Sequence, residues 1–205
     1  MFSMNLSLND IRAALQKPLP GIAAQIKLAP LVRIESLRTA PPADARTAGV
    51  LILLYQHEGA WYFPLMKRTE DGLTHGGQIS LPGGSQEAGE SLQETALREA
   101  REEIGAAHVD VLGQLSTLYI PPSNFLVTPT VGYVAGRPDF HCDPCEVAEL
   151  IEVPLSTLFD PQGVKREPWT LRGTTVEVPF YQIGPHKVWG ATAMILSEFS
   201  LVLAE

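Results

Sequence analysis

Read as a pattern of apolar and polar positions, the chain opens with a short amphipathic stretch and then loses its periodicity. In LNDIRAALQ, residues 8–16, Leu8, Ile11 and Leu15 recur at helical spacing, Asn9 or Asp10 stands near the start, and Pro18 ends the pattern. A short packing helix is predicted there. Residues 17–47 mix polarity and carry several prolines, which predicts an extended surface arm with a short edge strand around residues 32–34. AGVLILLY, residues 48–55, is an unbroken apolar run of strand length; WYFPLMK, residues 61–67, follows the turn at His57-Glu58-Gly59. The two read as a hairpin with Pro64 at a bulge or an edge. Beyond a glycine-rich loop at residues 68–84, a helix is predicted over residues 92–104. Residues 109–119 and 126–134 read as strands on either side of the turn Pro121-Pro122-Ser123-Asn124, and residues 146–153 hold a short strand. Tyr181 and Trp189 bracket another hairpin-like stretch, and residues 190–203 form an apolar C-terminal helix that covers the sheet. Strands before and after a central helix, with a second helix at the end, predict an α/β sandwich around a mixed sheet.

The central helix carries the clearest local signals. Ser91 followed three residues later by Glu94 matches a capping box, and Gly105 stands where a left-handed C-cap favours a residue without Cβ. Leu92, Ala96, Ala100 and Ile104 form a stripe that can pack, with Leu97 on its flank; Glu99, Glu102 and Glu103 fall on another face. Like charges at this spacing destabilise a helix, and anions in the last turn oppose its dipole. A divalent cation removes both penalties, and Mg2+ binds through carboxylates together with substrate phosphates.

With 205 residues, 45% hydrophobic and 19% charged, the chain suffices for one well-buried core. One domain is expected, with the helix and arm of residues 1–47 packing on a main unit of residues 48–205. The net charge of −8 disfavours nucleic-acid polymers and favours metal ions. No apolar run approaches the roughly 20 residues that span a bilayer, and no basic-then-apolar leader opens the chain, so a cytoplasmic protein is expected. Cys142 and Cys145 lie in HCDPC with no second ligand pair elsewhere in the chain, which predicts a reduced pair in a surface loop rather than a zinc site.

From Gly84 the chain reads five residues, Glu90, seven residues, then Arg98-Glu99-Ala100-x-Glu102-Glu103-x-Gly105-Ala106. This resembles the Nudix box at every fixed position, with Ala100 and Ala106 at its two aliphatic places. The resemblance implies the Nudix α/β/α fold and a hydrolase that cleaves a nucleoside diphosphate linked to another moiety. Mg2+ or Mn2+ would be held by Glu99 and Glu103, with Glu102 sharing the load and the Gly83 carbonyl completing the shell. Arg98 would orient a box glutamate, and the general base would be Glu103 or Glu146. The segment RTEDGLTHGGQISLPGG, residues 68–84, is similar to the signature of the coenzyme A diphosphatase branch, through Arg68-Thr69, Gly77 and Pro82-Gly83-Gly84, with His75 and Gln78 as further likenesses. Two positions depart from it: Leu73 replaces an Arg and Leu81 a Phe. That branch implies substrate contacts by Arg68, His75, Gly77 and Gln78, and cleavage of coenzyme A to 3',5'-ADP and 4'-phosphopantetheine. PPSNFLVTPTVGYV and WGATA also look like family segments, so the likeness covers most of residues 48–203. The alternatives are an ADP-ribose or dinucleotide polyphosphate pyrophosphatase and a non-catalytic nucleotide-sensing module. The expected partner is a small nucleotide diphosphate, and a homodimer is allowed.

Overall fold

Strand β1 (Arg46–His57) runs through the middle of the protein with both faces covered. The computed structural model describes residues 6–70, 76–171 and 173–204, apart from the side chains of Ser36 and Arg38. Leu51, Leu53 and Tyr55 cluster with Ala96, Ala100 and Ile104 of helix α4 (Leu92–Ile104), whereas Ile52 and Leu54 cluster with Leu196 and Phe199 of helix α5 (Gly190–Ala204). Successive side chains alternate across a strand, so a strand covered on both sides must be apolar at nearly every position. That is why residues 48–55 show no alternation.

Strand β2 (Ala60–Arg68) turns back at Glu58-Gly59 and pairs with β1 only from Tyr62 to Ala60. It then leaves β1 to pair with β3 (Ile79–Ser80) on one side and β8 (Val147–Pro154) on the other. Strand β4 (Gly83–Ser85) joins β1. Strand β7 (Phe125–Tyr133) lies parallel to β1 and carries β5 (Asp110–Gln114) and β6 (Leu118–Ile120) antiparallel to itself. Among the described residues these make one mixed eight-stranded sheet, and β9 (Val164–Leu171), β10 (Thr174–Ile183) and β11 (His186–Trp189) make a second, antiparallel one. With α4 on one face of the main sheet and α5 on the other, the architecture is an α/β/α sandwich. No helix among the described residues is long and apolar enough to cross a membrane.

Several expectations need correction. Helix α1 (Leu8–Leu15) is capped by Ser7, with Asp10 completing a capping box from inside the first turn, because Asp10 can close on the Ser7 amide at 2.8 Å. The arm is helical rather than extended. Helix α2 (Ile22–Gln25), 3₁₀ turns at Ile26–Leu28 and Leu31–Arg33, and helix α3 (Ile34–Arg38) replace the edge strand expected at residues 32–34. The segment satisfies its amides within its own turns, as in Arg33 N–H to Pro30 O at 2.9 Å, while α2 packs on α5. Residues 109–119 form two strands, β5 and β6, both seated on β7. Of the two places expected for Pro64, a bulge or an edge, it takes the edge: it lies opposite Glu152 of β8, where β2 has left β1 and has not yet reached β3, and the bulge lies between Lys67 and Arg68. Residues 68–84, expected as a loop, contribute β3 and the start of β4.

Candidate active site

Helix α4 is fixed at both ends before it presents any chemistry. Its first turn is closed by Ser91 and Glu94, through Ser91 N–H to Glu94 Oε2 at 2.8 Å and Glu94 N–H to Ser91 Oγ at 3.2 Å. Gly105 ends it with φ of 73°. Beyond that stop the HCDPC loop donates two amides to the last turn, His141 N–H to Ile104 O at 3.1 Å and Asp143 N–H to Glu103 O at 2.9 Å. These bonds satisfy carbonyls that a helix end otherwise leaves unpaired. The same loop delivers Glu146, whose amide bonds Asp143 O and whose carbonyl accepts from Thr69 N–H, both at 3.1 Å. Cys142 and Cys145 are free thiols, the second exposed.

Glu103 is the buried centre of the site, with 1% of its side chain exposed. Its Oε2 accepts from Gly83 N–H at 2.7 Å and its Oε1 from Arg68 Nη1 at 3.1 Å. Gly83 thus touches the buried carboxylate through its amide. Burial pushes the Glu103 carboxyl up to about 7; the Gly83 amide and Arg68 oppose the rise, while Glu99 and Glu146 add to it. Arg68 also reaches Glu146 Oε2 through Nη2 at 3.3 Å, so one guanidinium joins both base candidates.

Glu99 lies against the backbone of Gly84, where a Cβ would run into its carboxylate. Only glycine leaves room for that approach. Burial also raises the Glu99 pKa, against the pull of Arg98. Arg98 grips Glu90 with Nε at 2.6 Å and Nη2 at 3.2 Å, and its Nη1 lies 3.0 Å from both Glu99 and Glu102. Its hydrogen bond holds Glu90 down at about 2. Arg98 thus bonds two box glutamates, Glu99 and Glu102, and is anchored on Glu90; an acid ahead of the helix with an Arg eight residues later was the readable signal. Gly77 and Gln78 close a turn on Arg68, through Gly77 N–H to Arg68 O at 3.1 Å and Arg68 N–H to Gln78 O at 3.0 Å. His75 and Leu73 lie outside the described residues.

The donor set fits a divalent cation. Among the described residues, Glu90, Glu99, Glu102, Glu103 and Glu146 share the two guanidinium groups of Arg68 and Arg98, which leaves surplus negative charge on hard oxygen donors. Among the described residues no three acidic, His or Cys side chains already converge on one point. The carboxylates are instead tied to the two arginines and the Gly83 amide, and a cation would exchange with those partners.

The NUDIX domain family model matches residues 45–171. The chain belongs to the Nudix family. A Nudix hydrolase called NudL, described as uncharacterised, from Pectobacterium atrosepticum is 35% identical over 88% of this chain and 91% of its own length. Nudix hydrolase 3 of Caenorhabditis elegans is 31% identical over 78% of this chain and 75% of its own length. A MutT/nudix family protein from Enterococcus faecalis shares the fold at 14% identity, with a TM-score of 0.56 over 90% of this chain and 73% of that one. This Nudix protein is a pyrophosphohydrolase acting on nucleoside diphosphate derivatives, in a family whose members generally use divalent metal ions.

Proposed function

We propose that the substrate is coenzyme A or an acyl derivative, cleaved at its diphosphate to 3',5'-ADP and 4'-phosphopantetheine with Mg2+ or Mn2+. The observation that carries this reading is that the two ends of the coenzyme A-like segment, Arg68 and Gly83, both bond Glu103 of the box helix. That contact supports reading the signature and the box carboxylates as parts of one site. Glu99, Glu102 and Glu103 would hold the cation, with Arg98 fixing the first two. Bound there, the cation would neutralise the diphosphate and acidify a water. Arg68, with His75, Gly77 and Gln78 on the same segment, would orient the substrate.

Glu146 is the better general base. Both oxygens of Glu103 already accept hydrogen bonds, whereas Glu146 is held by Arg68 through one oxygen and is 46% exposed, leaving the other open to water. Water would attack phosphorus, its proton passing to Glu146 as the bridging P–O bond breaks. Turnover of coenzyme A, dephospho-coenzyme A and ADP-ribose with Mg2+ and Mn2+, read by product chromatography, tests the substrate. Both coenzyme A forms should be cleaved with less than ~10-fold preference, because Leu73 removes an Arg, and Leu73→Arg should raise the preference for coenzyme A. Turnover of ADP-ribose alone would overturn the coenzyme A reading. Glu146→Gln should turn over at least ~10²-fold more slowly; an unchanged rate would return the role to Glu103.

A further inference from the structure

Among the described residues one buried side-chain oxygen has no hydrogen-bond partner, and it is Ser80 Oγ. Its place in the fold is specific. Strand β3 pairs Ile79 with Lys67 and Ser80 with Met66. Ile79 faces the cluster under α5, so alternation turns Ser80 to the other face, where Met66 packs with α4. Arg68 lies across from Gln78, two residues before Ser80, and Gly83 follows three residues after it. Those two neighbours are the groups that bond Glu103. Ser80 therefore sits on the α4 side of the sheet, between the two segments that hold the buried carboxylate.

Burying a hydroxyl without a partner costs stability, and such groups are rare enough in folded proteins that each calls for a cause. Alanine would fill the same position in β3 without that cost. We infer that Ser80 is a substrate-contacting residue of the Nudix site, its hydroxyl donating to an oxygen that arrives with the metal-bound diphosphate. That oxygen belongs to a phosphate or to a water of the cation. The Arg68 guanidinium, which bridges Glu103 and Glu146 at 3.1 and 3.3 Å, is a side chain that a bound diphosphate would attract away from those carboxylates. The inference rests on the reading of the box carboxylates as the cation and diphosphate site, and does not depend on coenzyme A being the substrate.

The test is Ser80→Ala, measured by thermal unfolding and by turnover. Without ligand the variant should melt at or above the temperature of the parent, since it loses only an unpartnered group. With Mg2+ and imidodiphosphate, a diphosphate whose bridge resists hydrolysis, its stabilisation should be clearly smaller than the parent's. Its kcat/KM on whichever nucleoside diphosphate derivative the parent cleaves best should fall about 10-fold. A deficit already present with Mg2+ alone assigns the oxygen to the cation's water; one that needs imidodiphosphate assigns it to a phosphate. A variant with parental ligand stabilisation and parental kcat/KM would overturn the inference. A variant that melts well below the parent without ligand would also overturn it, because the hydroxyl would then have a partner in the free protein.

Discussion

At the scale of single residues, Glu103 carries the sharpest consequence. Its carboxyl is raised from an ordinary 4.5 to about 7 in the folded, metal-free protein. Folding therefore favours the protonated form, and the associated stability is fully present below pH 4.5 and lost as pH rises through about 7. The loss amounts to up to about 3 kcal/mol. Glu103→Gln keeps the shape and removes the charge, so the metal-free variant should lack this loss in urea titrations at pH 5 and pH 8. The same variant should turn over at least ~10²-fold more slowly, because the carboxylate is missing where a cation would be held. Near-parental activity would remove Glu103 from the metal site.

At the scale of elements, the box helix depends on its stop. Gly105 has φ of 73°, and a Cβ there would meet the His141 backbone N at 3.0 Å. Gly59 has a similar φ of 78° in the β1–β2 turn, with nothing within 4 Å of the same Cβ. Each Gly→Ala change should cost the left-handed strain of about 1–2 kcal/mol. Gly105→Ala should cost more than Gly59→Ala, because it also pushes away the loop whose amides cap α4. Chemical denaturation of the two variants compares the strain with and without the contact. Equal losses would mean that His141 yields freely and that the loop does not brace the helix.

At the scale of the whole molecule, the N-terminal arm is tied to the core by a buried carboxylate. Glu198 of α5 is fully buried and accepts from Gln25 Nε2 at 2.7 Å, Gly21 N–H at 3.1 Å and Ser116 N–H at 3.3 Å. Glu198→Ala would strand these donors inside the protein, a loss of about 3 kcal/mol or more. It should also expose residues 17–29 to limited proteolysis before the rest of the chain. Resistance equal to the parent's would show that the arm is held by apolar packing instead. Adding Mg2+ or Mn2+ should raise the melting temperature of the parent, since a ligand of the native state at 100 times its Kd contributes about 2.7 kcal/mol. An unchanged melting temperature at millimolar metal would count against the carboxylate cluster as a cation site.

Wherever the physics is local, the chain could be read without its structure. The span of α4, its Ser91-Glu94 cap and its Gly105 stop follow from groups a few residues apart. The doubly covered β1 follows from an apolar run too long for a half-exposed strand, and the acidic face of α4 from helical spacing. The tertiary structure decided what joins distant segments. It decided that Glu103 is the buried carboxylate and Glu102 an exposed one, since helical spacing assigns a face but not a depth. It placed Arg68 between Glu103 and Glu146, residues 35 and 78 positions away from it. It also turned the proline-rich arm into short helices docked on α5, where a buried Glu198 supplies acceptors that no local pattern announces. Hydrogen bonds between neighbours in sequence leave a signature in spacing, whereas those between segments exist only once the sheet has set the distance between them.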